Sequence, residues 1–367
     1  MPIFDQGYQH WSGALSGHAW RWLSITRHGV RVCASGRWLR IFLLLAWLPA
    51  IGLAVMLCLW GLVERKSEAV VAVAPIFNIF FGQAIPLDPR LYRVEIWTLC
   101  YSYFLSAELS LSMILVMLVG PDLISQDLRY NALPLYFSRP LRRIDYFVGK
   151  LGVIVAFLGM VIIVPSIIAY LLGLLFSLDI AIVRDTYRIL LASIAYGFLI
   201  ALSSGLLILA LSSLSRNSRY VALFWLGVWI VSGVVALVLT QADLHQHRRQ
   251  AWVAQRAAGA GRPQTANSRR AFEDSLLAEA QQAAKSNWRP LVSYRANLAH
   301  LGNQMLGTNA SVEKLSQLQP AQFRQIFLQG FLGTQYPWYW SAAVLAGLFG
   351  LSLCILKFSI KSLDRLR

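Results

Sequence analysis

Six long apolar runs dominate this sequence and restrict what the chain can fold into. They cover about residues 41–63, 97–119, 147–176, 189–211, 220–240 and 338–358. A helix needs roughly 20 apolar residues to cross about 30 Å of hydrocarbon, and each run reaches that length. The predicted fold class is therefore all-α, a polytopic membrane protein with about six transmembrane helices. The third run is longer than a span requires and contains Pro165, which predicts a tilt or a kink.

The composition agrees with a membrane environment. Of the 367 residues, 57% are hydrophobic and only 14% are charged, a balance that soluble folds do not normally carry. The net charge of +16 could indicate nucleic acid, but in a chain this apolar the basic residues fit a role as topology anchors. We expect no nucleic-acid partner, and a lipid bilayer as the main surroundings.

The distribution of basic residues predicts the orientation, because short basic segments stay on the cytoplasmic side. The first 40 residues contain five arginines from Arg21 to Arg40 that follow a single acid, Asp5. This places the N-terminus inside, and six spans return the C-terminus inside. The segment 241–337 is basic and yet falls outside in this scheme, which its length permits, since long loops translocate largely regardless of charge.

These boundaries divide the chain into four parts. Residues 1–40 form a cytoplasmic amphipathic region, 41–240 hold spans 1 to 5 with a cytoplasmic loop at 120–146, 241–337 form a long external loop or helical domain, and 338–367 hold span 6 and a basic tail. Apolar and basic residues alternate around Trp20 to Val32 in a pattern that suits the inner membrane surface, although a plain basic flank fits equally well.

The loop after span 2 is the most informative stretch, and it reads GPDLISQDLRYNALPLYFSRPLRRIDYFVGK at 120–150. Gly120-Pro121 ends one helix and starts the next, and Pro134 interrupts the amphipathic pattern that follows. A second helix start at Ser138-Arg139-Pro140 leads into span 3. The pattern predicts a short helical element between two breaks, joined at both ends to membrane helices.

This stretch resembles the signature of the type-2 class of ATP-binding cassette (ABC) exporter permeases. The resemblance lies in an acid at Asp127, then Asn131-Ala132-Leu133-Pro134-Leu135, then Ser138-Arg139-Pro140-Leu141, and Gly149-Lys150. The SSLSRNSR turn at 212–219 is similar to that family's basic turn between spans 4 and 5, and residues 1–40 resemble its elbow helix.

The resemblance implies a type-2 ABC exporter-like fold with both termini inside, in the bacterial cytoplasmic (inner) membrane. It implies two partners, a separate ABC ATPase subunit and a second permease copy or homologous permease. ATP and Mg²⁺ would bind to the ATPase, so this chain would hold no cofactor and would catalyse no reaction itself. The residues implied to contact the ATPase are Asp127, Arg129, Tyr130, Leu133, Leu135 and Ser138.

The segment 241–337 departs from that family, whose external loop is usually shorter and carries one or two re-entrant helices. Five residues at helical spacing form an apolar stripe that we interpret as an external gate over the path: Leu291, Tyr294, Leu298, Leu301 and Met305. A small helical domain with its own core fits the same pattern.

Glu108 is an ionisable residue deep inside an apolar run, with serines around it. Carboxylates are costly at that depth and usually face a cavity or a partner, so we predict that Glu108, Ser106 and Ser112 line the translocation path. A protonated carboxyl that only packs between helices is the alternative.

Other chemistry is not indicated. The chain has no GxxxxGK[ST] phosphate loop, no HExxH and no GxSxG. His245 and His247 form an isolated pair without a third ligand nearby, so no metal site is predicted. The predicted function is the transmembrane permease subunit of an ATP-driven exporter. The alternatives are a non-transporting membrane anchor or a membrane-bound enzyme with an external helical domain.

Overall fold

The computed structural model describes residues 20–65, 89–137, 141–177, 181–257, 287–318, 324, 328 and 336–364. Within these ranges the regular structure is helical, and no strand occurs in them. The prediction of an all-α fold is confirmed.

Six helical stretches are long and apolar enough to cross a membrane, as the sequence predicts. We call them spans 1 to 6: Arg37–Glu64, Pro89–Arg129, Arg143–Ser177, Ala181–Leu214, Ser218–Asp243 and Trp338–Ser359. Span 1 consists of helices Arg37–Leu45 and Leu48–Glu64. In span 2 a short 3₁₀ turn at Pro89–Tyr92 precedes the main helix Arg93–Val119. The helix of span 5 continues to Ala257 and that of span 6 to Asp364.

Local irregularities occur within spans 3 and 5. Span 3 runs as helix Arg143–Leu158, a π-helical turn Gly159–Ile163 and helix Val164–Ser177. Pro165 has no amide hydrogen to donate, and the wider π-helical turn just before it accommodates the missing backbone hydrogen bond. Span 5 has a similar π turn at Gly227–Val231 between helices Ser218–Leu226 and Ser232–Ala257.

Five shorter helices belong to the described structure as well. We call Arg21–Ala34 the elbow helix and Asp122–Arg129 the coupling helix, after their predicted roles, and a short helix follows at Leu133–Phe137. After a 3₁₀ turn at Arg289–Val292, an inserted helix runs from Tyr294 to Leu306 and a flanking helix from Thr308 to Ser316.

Spans 2 and 4 form the centre of the bundle. In the most apolar part of span 4, 61% of the residues are buried; the share is 56% in span 2 and 17% in span 5. The elbow helix packs on the first half of span 3, span 1 packs on its second half, and span 6 packs on span 4. The coupling helix rests against span 4. We call the end of the bundle that holds the coupling helix the coupling side.

Candidate functional site

The coupling helix is fixed to span 4 by a single serine hydroxyl. Ser212 Oγ accepts hydrogen bonds from the backbone N–H groups of Ile124 at 3.2 Å and Ser125 at 3.0 Å, and donates to the carbonyl of Pro121 at 2.8 Å. The first N–H groups of a helix have no partner within it, and here a neighbouring span supplies one. The break at Gly120-Pro121 is thereby held against span 4.

The acid of the motif, Asp127, joins the coupling helix to the start of span 3. Its Oδ2 accepts a 2.6 Å hydrogen bond from the hydroxyl of Tyr146 and lies 2.6 Å from Nζ of Lys150. Lys150 also lies over the Tyr146 ring, 5.4 Å from its centroid. Burial, and secondarily the charge of Asp127, raise the pKa of Tyr136, whose ring packs 5.4 Å from that of Tyr146. Asp127 therefore holds two helices together.

The exposed surface of this region lies just beyond Asp127. Tyr130 is 73% exposed, and the guanidinium of Arg129 lies 5.7 Å from the centre of its ring. Asn131, also exposed, has a positive φ of 51° that turns the chain sharply after the coupling helix. We call Arg129, Tyr130 and Asn131 the coupling tip. Among the residues predicted to contact an ATPase, Leu133 is only 5% exposed, while the side chain of Leu135 and all of Ser138 fall outside the described structure.

Glycines bring the elbow helix into close contact with span 3. A Cβ at Gly149 would lie 2.7 Å from Cβ of Ile25, and one at Gly152 would lie 2.5 Å from Oγ1 of Thr26. Thr26 Oγ1 also donates to the carbonyl of Gly149 at 2.9 Å. Both residues of Gly149-Lys150 therefore have a structural role: Gly149 allows the close approach of the elbow helix, and Lys150 pairs with Asp127.

A line of three serines runs along one partly exposed face of span 2, with Ser106 exposed and the other two half-buried. Ser102, Ser106 and Ser110 recur every fourth residue, and we call them the polar strip. The inserted helix reaches this strip at two points, since Asn303 Oδ1 accepts from Ser102 Oγ at 3.4 Å and Arg295 donates to Ser110 Oγ at 3.1 Å.

The inserted helix penetrates deep into the bundle. The hydroxyls of Tyr294 and Ser203 lie 2.9 Å apart, and Ser232 Oγ accepts from the Tyr294 amide at 3.3 Å. Ser110 precedes the end of its helix at Val119 by nine residues, which is about 14 Å of helix measured from the coupling side. The inserted helix therefore begins near half depth of the bundle. It runs away from the coupling side, because Arg295 near its start meets Ser110 and Asn303 further along meets Ser102.

The predicted gate residues lie on and before this inserted helix. Tyr294 and Leu298 are buried, Leu291 and Leu301 are half-buried, and Met305 is 40% exposed. The buried face also includes the polar residues Asn297 and His300. The sequence predicts a stripe that faces lipid or the ends of the spans, whereas the structure packs this helix against spans 2, 4 and 6. Asn297 donates to the carbonyls of Leu291 and Ser293, just before the inserted helix.

A cavity of about 170 Å³ opens between the polar strip and the inserted helix. Its walls are formed by span 2, by the inserted helix and the start of the flanking helix, and by Tyr196 of span 4. The polar side chains that line it are Ser102, Tyr103, Ser106, Tyr196, Asn303 and Thr308. Ser106, a predicted path residue, thus lies at a cavity.

The other two predicted path residues lie away from the cavity. Glu108 is fully buried, and neither of its carboxylate oxygens has a hydrogen-bond partner among the described residues. It shares a helix face with Tyr101, whose hydroxyl donates to the carbonyl of Ser166 in span 3 at 2.9 Å. Ser112 is also buried and bonds only within its own helix in the part of the chain described, to the carbonyl of Leu109.

An ion cluster that no sequence pattern predicts lies at the side opposite the coupling helix. Arg93 forms two hydrogen bonds of 2.8–2.9 Å with Glu64, both buried, and lies 3.3 Å from Asp185. Trp60 and Ser177 also donate to Glu64. Because each charge lies at the end of a different apolar run, the sequence shows only separate flanking residues, and their pairing depends on how the spans pack.

No metal-binding cluster of three or more His, Cys, Asp or Glu residues occurs within the described ranges. His245 is exposed, and the side chain of His247 is not described.

Neither a scan against protein-family models nor a search of curated proteins finds a match for this chain. The functional inference therefore depends on the residue pattern and the geometry.

Proposed function

We propose that this chain is the transmembrane permease subunit of an ATP-driven exporter of the type-2 ABC class, in a bacterial cytoplasmic membrane. It works with a separate ATPase that binds ATP and Mg²⁺ and with a second permease copy. The observation that carries this proposal is the coupling tip, an exposed Arg129 and Tyr130 at the end of a short helix that is fastened to two membrane spans.

A short helix can transmit force only if it is rigidly attached. Ser212 fixes the start of the coupling helix to span 4, and Asp127 fixes its end to span 3 through Tyr146 and Lys150. A partner that pushes on Arg129 and Tyr130 therefore moves both spans. A membrane anchor without a transport function needs no such connection.

The polar strip supports pairing with a second copy. The exposed hydroxyl of Ser106, the half-buried Ser102 and Ser110 and the half-buried Arg295 would meet hydrocarbon if this face were turned to lipid, which is unfavourable. The face is better matched by a second permease copy or by a water-filled path between two copies. Ser106 then lines that path, whereas Glu108 faces the interior of its own bundle, and its role in the path stays a prediction.

The test is co-purification of an ABC ATPase with the tagged chain from its native membranes. We expect wild-type protein to recover an ATPase with vanadate-sensitive turnover, and Arg129→Glu combined with Tyr130→Ala to reduce the recovery at least tenfold. Leu133 is unsuitable for this test, because a charge at this buried position would disturb packing.

The matched control is Arg216→Glu, a charge reversal at an exposed arginine in the turn between spans 4 and 5. It changes net charge by the same amount and leaves the coupling tip intact, so ATPase recovery should stay at the wild-type level. Recovery of no ABC ATPase by the wild-type chain, or equal recovery by the double variant, would contradict the proposal.

A further inference from the structure

Arg295 is a positive charge placed where charge is unfavourable. It is half-buried, near half depth of the bundle, and it donates a 3.1 Å hydrogen bond to Ser110 Oγ. No carboxylate within the described ranges forms an ion pair with it. A serine hydroxyl does not neutralise a guanidinium, and intramembrane arginines normally pair with an anion or face a polar cavity.

Glu108 does not serve as that anion. It lies two residues before Ser110 on the same helix, and side chains two positions apart point in very different directions. Glu108 shares the face of Tyr101, which reaches span 3, while Ser110 meets the inserted helix. The two charges are therefore on opposite sides of span 2.

The face of the inserted helix that carries Arg295 continues into the cavity. Ala299, Gly302, Asn303 and Leu306 follow Arg295 at helical spacing, and all four line the 170 Å³ space. This volume is about ten times the 15 Å³ or so that one water needs, so it accommodates a molecular group. Arg295 and Ser110 do not line this space themselves; they lie one helical turn from the lining residues Ala299 and Ser106, towards the coupling side.

The cavity walls contain hydrogen-bonding groups and no acid. Hydroxyls come from Ser102, Tyr103, Ser106 and Thr308, and an amide comes from Asn303. Thr308 is only 4% exposed, and its hydroxyl has no hydrogen-bond partner in the described structure. A buried polar atom without a partner is rare in folded proteins, and one that lines a cavity indicates a ligand.

We infer that this cavity and the adjoining Arg295–Ser110 pair together bind an anionic headgroup, with its phosphate or carboxylate at Arg295 and Ser110 and its neutral polar atoms bonded in the cavity by Ser102, Asn303 and Thr308. The first turn of the inserted helix adds the positive end of the helix dipole at Arg295. The anion could belong to a lipid headgroup or to a soluble molecule. Assigning it to the exported cargo rests on the proposed function, but the binding itself does not.

The experiment uses the full chain without ATPase, in nanodiscs of zwitterionic phosphatidylcholine. Two probes distinguish the sources: phosphatidylglycerol admixed to the nanodisc and counted by native mass spectrometry after lipid exchange, and inorganic phosphate titrated from solution by calorimetry. Binding of the first probe assigns a lipid headgroup, and binding of the second assigns a soluble anion. Either result supports the site when it depends on Arg295.

Arg295→Gln should weaken binding of the responding probe by about tenfold or more, as expected for loss of a charge-assisted hydrogen bond. Arg295→Lys should retain a large part of it. The matched control is Arg184→Gln, an exposed arginine 12 residues before Tyr196 and so about 18 Å of helix away. It should bind as wild type does.

Failure of wild-type protein to bind either probe, or equal binding by Arg295→Gln, would overturn the inference. A chain that binds the anion and yet recovers no ABC ATPase would refute the exporter proposal alone. The two failures are therefore distinguishable.

Discussion

Ser212 contributes more to the coupling side than its size suggests. Its one hydroxyl contacts three backbone groups at the break between the main helix of span 2, Arg93–Val119, and the coupling helix, and all of these groups are buried. Ser212→Ala would leave the N–H groups of Ile124 and Ser125 without this partner, while the carbonyl of Pro121 would still accept from Ser125 Oγ. A buried polar group left unpaired costs about 1–3 kcal/mol, so we expect a loss in the free energy of unfolding of about that size.

The measurement is the thermal unfolding of purified Ser212→Ala protein, together with its recovery of ATPase. Ser213→Ala is the control, because that neighbouring hydroxyl bonds within its own helix, to the carbonyl of Ala210. Both variants delete one buried hydroxyl, but only Ser212→Ala should lower the transition temperature markedly. Similar effects of the two substitutions would show that Ser212 does not hold the coupling helix.

Asp127 illustrates how far a motif residue can be interpreted from sequence. The pattern marks an acid in the right place, and the resemblance implies contact with an ATPase. The acid bonds to Tyr146, 19 residues further along, and to Lys150. Because these partners come from another helix, no local pattern identifies them, and contact of Asp127 with an ATPase stays a prediction.

The elbow helix depends on close contact with span 3 at Gly149. A Cβ added at Gly149 would lie 2.7 Å from Cβ of Ile25, which is shorter than real Cβ contacts allow. Gly149→Ala should therefore push the elbow helix away and expose Thr26, whose hydroxyl bonds to the Gly149 carbonyl. Gly52→Ala is the matched control, since a Cβ there meets no atom of the described structure within 4 Å.

Fluorescent maleimide labelling of Cys33 reports the outcome. Cys33 is half-buried near the end of the elbow helix, and burial raises the pKa of its thiol, so it reacts slowly in place. Gly149→Ala should accelerate the labelling several-fold, while Gly52→Ala should not change it. Equal labelling rates in the two variants would show that the contact at Gly149 does not position the elbow helix.

The helices themselves were largely predictable, and their partners were not. The third apolar run, predicted as 147–176, is observed as Arg143–Ser177, and the last, 338–358, as Trp338–Ser359. Hydrophobicity over about 20 residues sets these elements, and it is visible in the sequence. The inserted helix was predicted as an amphipathic element, but its buried Asn297 and His300 show that it packs against protein, which an apolar stripe alone does not reveal.

Across the molecule, sequence placed the chain in a membrane and ordered its spans, whereas packing alone brought the functional groups together. Arg295 and Ser110 lie 185 residues apart and meet at half depth. Glu64 and Arg93 flank different spans and meet opposite the coupling side. Such contacts depend on which span faces which, and hydrophobic runs of similar composition carry little information about that choice.

Site-specific photo-crosslinking from the coupling tip is the most direct test of the proposed exporter. A benzophenone amino acid replaces Tyr130, which is 73% exposed, and Trp338 at the start of span 6 is replaced likewise as the control position on the opposite side. In native membranes, position 130 should capture an ABC ATPase in an amount that changes with ATP and vanadate, and position 338 should capture none. If the protein is intact and inserted and the crosslinker at position 130 captures no ATPase, that result would contradict the proposed function.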